Sequence, residues 1–150
     1  MLTFAIEKFS QCAHELAPVF GEHWREIALD KDKIKLAPWW ERYASIDDQG
    51  MLHLLIMRID GQLVGYYMAY ILPHMHYRDS GLQAVTDAYF ILPKHRKGGA
   101  GAKLLKEMER TLKKRGCVRV YISTKVHQDH GPLFEKMGFL FTDKMYTKLL

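Results

Sequence analysis

Apolar and polar residues alternate weakly over residues 2–9, a period of two that predicts an opening strand. The spacing then lengthens. Ala13, Leu16, Ala17, Phe20, Trp24 and Ile27 recur at helical intervals, so a helix is expected from an N-cap at Ser10 to about Leu29. Leu36, Trp39, Trp40 and Tyr43 predict a second helix over 33–45, and Asp47-Asp48-Gln49-Gly50 reads as a turn. Residues 51–59 and 62–72 are dense in apolar, β-branched and aromatic side chains, and Asp60-Gly61 between them is a strong hairpin signal. A polar loop over 73–81 leads to a further strand over 82–92. In the helix expected over 99–115, Leu104, Leu105, Met108 and Leu112 share one face while Lys106, Arg110 and Lys113 face water. Gly116 stands where such a helix ends. A strand over 118–124, a short helix over 130–137 stopped by Gly138, and a last strand over 139–149 complete the order β-α-α-β-β-β-α-β-α-β. This predicts a mixed α/β sheet flanked by helices on both faces, in one domain over 1–150.

The junction at 89–105 carries the chemistry. An apolar strand meets Pro93, then Arg96, then Gly98, Gly99 and Gly101, then a helix. A strand feeding a glycine-rich turn at a helix N-terminus leaves backbone N–H groups unpaired at the positive end of the helix dipole, a setting for phosphate. Glycines let the backbone approach an anion where a β-carbon would intrude. Arg96, Lys97 and Lys103 add positive charge. The mononucleotide P-loop is excluded, because no Lys here follows Gly and precedes Ser or Thr. The dinucleotide fingerprint fails too, since Leu104 stands where its third glycine belongs.

Composition narrows the partners. A chain that is 48% apolar and 26% charged is neither disordered nor membrane-spanning in character, and no apolar run nears the roughly 20 residues of a span. Met1 to Glu7 show no basic start, long apolar stretch or cleavage site, so a cytoplasmic protein with no membrane partner is expected. Cys12 and Cys117 fit no metal or redox spacing and read as reduced core thiols. The net charge of +5 would suit nucleic acid through counterion release, or a ligand with several phosphates. The basic residues at 94–97, 103–106 and 113–115 surround the glycine loop, and no aromatic-interleaved basic stripe occurs. Nucleic acid is therefore not the expected partner.

Arg96-Lys97-Gly98-Gly99-Ala100-Gly101 fits Arg/Gln-x-x-Gly-x-Gly/Ala and resembles the pyrophosphate loop of the GCN5-related N-acetyltransferases. Asp60-Gly61-Gln62-Leu63-Val64-Gly65 resembles that family's hairpin between its second and third strands. Leu133-Phe134-Glu135-Lys136-Met137-Gly138-Phe139 resembles its late helix-to-strand signature. The three motifs stand in the family's order over almost the whole chain. The resemblance implies a mostly antiparallel central sheet and an acetyl-CoA-dependent N-acetyltransferase acting on a primary amine of a small molecule or protein. Family members are often dimers, so a homodimer is compatible with it.

By the same resemblance, Tyr89, Phe90 and Ile91 would offer backbone groups to the pantetheine arm, and the backbone of Arg96, Lys97, Gly98, Gly99, Ala100 and Gly101 would hold the diphosphate. Asp87 matches the neighbourhood of the family's acid on the fourth strand, as catalytic base or water relay. The period of two would place it on one face with Val85, Tyr89 and Ile91; the structural alternative is a strand-end acid paired with Arg78. His74, His76 and Tyr77 lie in a loop that often gates the acceptor site. Glu22 with Trp24 would suit a cationic amine, against the plainer reading of a packed Trp beside a solvated Glu.

Two departures stand out. Where the resembled family usually has a Tyr that protonates the departing thiolate this chain has Phe134, and the family's usual Asn upstream of that helix is absent, with His127 nearby in its place. Tyr121 and Tyr146 are the substitutes weighed, without a spacing argument. A module of this fold that binds CoA without catalysis is the first rival reading, and a basic nucleic-acid-associated protein the second. His74-x-His76 and His127-x-x-His130 with Asp129 resemble ligand spacings too loosely for a metal to be expected.

Overall fold

The computed structural model describes every residue from Met1 to Leu150. Its elements run β1 (Leu2–Ile6), α1 (Phe9–Ile27), α2 (Trp40–Asp48), β2 (Leu52–Ile59), β3 (Gln62–Pro73), β4 (Leu82–Ile91), α3 (Ala100–Lys114), β5 (Cys117–Tyr121) and α4 (Gly131–Lys136). The strands form one sheet in the order β1-β2-β3-β4-β5. The first three pairings are antiparallel and β4–β5 is parallel. The expected mixed, mostly antiparallel sheet is present. No helix is long and apolar enough to cross a membrane.

The central strands are apolar on both faces because helices cover both. Leu54, Ile56, Tyr66 and Met68 pack with Phe9, Cys12, Leu16 and Phe20 of α1, and α2 adds Trp40 and Tyr43. Leu55, Met57, Tyr67 and Ala69 pack with Leu104, Leu105, Met108 and Leu112 of α3 and with Phe134 of α4. The α3 face expected from its spacing is the buried one. At the β2–β3 turn Asp60 and Gly61 both take positive φ, 49° and 82°, as a tight hairpin requires.

Several boundaries need correction. The first strand stops at Ile6 and α1 begins at Phe9, with Lys8 rather than Ser10 in the capping position. The second helix forms over Trp40–Asp48, not 33–45. Pro38 explains the delay, since proline lacks an N–H and pushes the residue before it out of helical geometry. The fifth strand is Cys117–Tyr121, shorter than the expected 118–124. The last strand, expected over 139–149, does not form. Its β-favouring side chains meet no neighbouring strand, and Leu140, Phe141, Met145 and Tyr146 are 72–88% exposed. Residue type alone makes no strand; a ladder partner does.

Candidate active site

β4 has two partners over less than half of its length. Its pairing with β5 covers Leu82–Val85 and ends at Val85 opposite Tyr121, whereas its pairing with β3 continues to Ile91. Parallel strands that part company leave one backbone edge of β4 free from Thr86 onward. An amide-bearing chain can add to such an edge as an extra strand.

The free edge runs into the glycine loop. A single 3-10 turn over Pro93–His95 leads to Gly98 and Gly99, with φ of 66° and 73°, and α3 starts at Ala100. Gly99 caps the helix without a side-chain bond. The backbone N–H groups from Lys97 to Ala102 have no acceptor within the chain; the ladder begins with Lys103 N–H donating to the Gly99 carbonyl at 3.0 Å. A β-carbon at Gly98 or Gly99 would meet no atom within 4 Å, so the loop borders open space. Contiguous outward N–H groups at a helix N-terminus fit a diphosphate.

Charge is distributed differently from the expectation. The Arg96 guanidinium donates to both Glu26 carboxylate oxygens, at 2.8 and 2.6 Å, and through Nε to the Ile91 carbonyl at 2.8 Å. It also lies 5.0 Å above the Phe90 ring. Arg96 thus ties the loop to α1 and the end of β4, with its charge balanced by Glu26. That bond holds the Glu26 carboxyl below the usual carboxylate range, opposed by partial burial. Lys94, Lys97 and Lys103 make no ion pair and are exposed, so they carry the loop's free positive charge.

Asp87 sits in a bulge. Met68 faces Ala88 while Ala69 faces Thr86, which leaves Asp87 as the extra residue. The bulge breaks the period of two. Asp87 turns to the α1–α2 side, where the Tyr43 hydroxyl of α2 donates to its Oδ2 at 2.8 Å. Tyr89 and Ile91 pack on the α3–α4 side. The expectation that Asp87 shares a face with Tyr89 and Ile91 is corrected on this ground, while Val85, opposite Tyr70, stays on the Asp87 side. Arg78 pairs with Asp79 and leaves Asp87 alone.

Burial, with the Asp87 charge adding to it, pushes the phenols of Tyr43, Tyr66 and Tyr70 upward, so all stay protonated at neutral pH. Tyr66 bonds His23 Nδ1 at 2.7 Å, and the His23 ring stacks on Phe90 at 4.6 Å. Burial pulls the His23 imidazole down to about 4. This face is therefore one carboxylate ringed by neutral aromatic groups.

On the α3–α4 side, the Tyr89 hydroxyl donates to the Ser123 carbonyl at 2.9 Å and lies 3.1 Å from His130 Nδ1. The Phe134 ring is 6.0 Å from Tyr89 and 6.4 Å from His130, centre to centre.

The remaining residues do not converge on these two faces. Glu22 is exposed and bonded to Arg25 at 2.5 Å. Trp24, two positions on, points about 200° away around the helix, so the two form no joint cation site. His74, His76 and Tyr77 cluster with one another, the His74 and Tyr77 rings stacking at 4.7 Å. Their loop leads into the start of β4, the end opposite the glycines, where Tyr77 helps line a hollow of about 460 Å³ with Ser80, Gln83, Val118 and Arg119. Tyr121 accepts a bond from Arg119, and Tyr146 is 85% exposed. Sequence reading missed Tyr43, Glu26 and the Tyr89–His130 contact. Only Tyr43 carried a signal, as one of the aromatic residues clustered about α2.

A sequence profile described as the Acetyltransferase (GNAT) family matches residues 10–139. Similar solved structures include a GCN5-related N-acetyltransferase from Ralstonia eutropha JMP134, with TM-score 0.78, 16% identity and 99% of each chain covered. An aminoglycoside acetyltransferase from an uncultured soil metagenomic sample has TM-score 0.76 and 16% identity, over 100% of this chain and 99% of its own. The ribosomal-protein-alanine N-acetyltransferase of Brucella melitensis biovar Abortus 2308 has TM-score 0.74 and 20% identity, over 100% of this chain and 99% of its own. A search by sequence among curated proteins gives no match. At such identities the structures speak for the fold, and the profile, spanning most of the chain, assigns it to the GNAT acetyltransferase family.

Proposed function

We propose that this chain transfers acetyl from acetyl-CoA to a primary amine by direct attack within a ternary complex. The observation that carries the reading is the continuity of the free β4 edge with the unpaired N–H groups of Lys97 to Ala102. The cosubstrate supplies an activated acetyl thioester. The loop N–H groups, with Lys97 and Lys103, would hold its diphosphate, and the backbone of Tyr89, Phe90 and Ile91 would pair with its amide arm. From Ile91 back to Asp87 is about 13 Å of strand, which sets the reacting end near the bulge.

Asp87 would then act on the acceptor. An ordinary alkylammonium has a pKa of about 10.4, so presenting the neutral amine at pH 7 costs roughly 4.6 kcal/mol. The Asp87 carboxylate would attract the ammonium and take its proton directly or through one water. Tyr43 fixes that carboxylate, and neither it nor nearby Tyr70 brings a competing charge. The acceptor favoured by this face is a cationic amine, which the Asp87 charge attracts.

Phe134 favours a second reading, a CoA-binding module without turnover. One measurement tests both readings and a second separates them. Acetyl-CoA at 100 times its dissociation constant should stabilise the fold by about 2.7 kcal/mol on either reading, and no stabilisation contradicts both. Thiol release is then followed over an amine panel holding an aminoglycoside, glucosamine 6-phosphate and an alanine-terminated peptide, acceptors suggested by the names of structurally similar enzymes. Turnover with any amine supports catalysis; binding with no turnover supports the module.

A further inference from the structure

The departing sulfur must gain a proton, and the Phe134 side chain has none to give. The geometry points to Tyr89, backed by His130, as the proton donor to the thiolate, an assignment that rests on the acetyl-transfer reading above. Three observations support it. Tyr89 projects from the free stretch of β4 on the α3–α4 side, and its hydroxyl reaches across to the Ser123 carbonyl at 2.9 Å, spanning the gap where β4 and β5 separate. That hydroxyl also lies 3.1 Å from His130 Nδ1, and the backbone N–H of His130 is pinned to Thr124 Oγ1 at 2.7 Å. Both rings pack edge-on beside the Phe134 ring, at 6.0 and 6.4 Å.

Asp87 faces the opposite side of the sheet, so the bulge separates the group that accepts a proton from the pair that gives one. Burial pushes the Tyr89 phenol up to about 12, which keeps it protonated but makes it a weak acid on its own. His130 meets that deficit. As the carbon–sulfur bond breaks and sulfur takes the bond electrons, the Tyr89 hydroxyl turns from the Ser123 carbonyl to sulfur and gives up its proton. His130 Nδ1–H, 3.1 Å from the phenol, returns a proton in the same movement as Nε2 of the ring takes one from solvent. A thiol has a pKa of about 8.5, above neutral pH, so the net transfer from solvent to sulfur is downhill.

The test compares Tyr89→Phe, His130→Gln and the double variant Tyr89→Phe/Phe134→Tyr with the unmodified protein, using acetyl-CoA and an accepted amine. The expected result is a kcat at least tenfold lower in each single variant, with acetyl-CoA affinity within threefold of the parent. The double variant, which puts a hydroxyl on the ring packed beside residue 89 and His130, should recover most of the loss. A second reading needs no turnover: ultraviolet absorbance of the thiolate of bound CoA should show ionisation beginning at lower pH in the parent than in Tyr89→Phe. Should Tyr89→Phe fail to fold, His130→Gln decides by the same kcat and affinity readings. Undiminished kcat in the single variants, or unchanged ionisation of bound CoA, overturns the assignment. If the unmodified protein neither binds acetyl-CoA nor releases thiol, it is the acetyl-transfer reading that fails.

Discussion

Asp87 owes its place to one inserted residue. Without the bulge opposite Met68 and Ala69, strict alternation would put it beside Tyr89 and Ile91; with it, the carboxylate meets Tyr43. Asp87→Asn keeps the shape and would remove the proposed proton acceptor. Its kcat should fall about 10²-fold or more, with acetyl-CoA affinity changed less than threefold in calorimetry. Equal losses in both would remove Asp87 from catalysis. Arg96 makes a different point. Because Glu26 balances its charge, Arg96→Met should lower the melting temperature more than it weakens acetyl-CoA binding, and Lys97→Met the reverse. An affinity loss for Arg96→Met exceeding that for Lys97→Met would show that the guanidinium, not the lysine, meets the phosphates. Charge and composition announced a cationic loop but could not reveal which cation was already paired, since Glu26 lies 70 residues away.

At the scale of elements, local chemistry was readable wherever the cause was local. Asp60-Gly61 makes the hairpin, the α3 apolar stripe is buried, and Gly116 ends that helix with φ of 89°. What escaped reading depends on neighbours. The α2 start shifts because of Pro38, the last strand fails for want of a partner, and the bulge in β4 has no residue signature. The glycine loop permits a sharp prediction. Gly99 holds a left-handed φ of 73° that costs an L side chain about 1–2 kcal/mol, so Gly99→Ala should lower the melting temperature by roughly 3–8 °C. It should also weaken acetyl-CoA, because the added β-carbon enters the space beside the N–H groups. Unchanged melting and affinity would contradict the loop's described conformation.

For the whole molecule, acid is the expected weakness. His53 is buried against Thr111 at 3.0 Å, and burial pulls its imidazole down to about 4, as it does for His23. An unfolded His protonates near 6.5, so between pH 6.5 and 4 the unfolded chain binds more protons than the folded one. Stability is therefore complete above pH 6.5 and falls as pH drops, by on the order of 2 kcal/mol for each imidazole at pH 5. Glu26 and Glu15, held low by arginine partners, lose their share in the same direction at lower pH. Urea unfolding at pH 7 and pH 5 checks this, and equal midpoints would contradict it. His53→Gln should remove about half of the difference, His23 supplying the rest.

The central claim is that the main chain from Lys97 to Ala102 binds a diphosphate. Amide-resolved NMR during a titration with CoA tests it directly. The account predicts that the amide signals of Lys97 through Ala102 shift together and saturate at one equivalent, with Tyr89 to Ile91 following along the strand. Saturable binding that leaves those loop amides unmoved would contradict it.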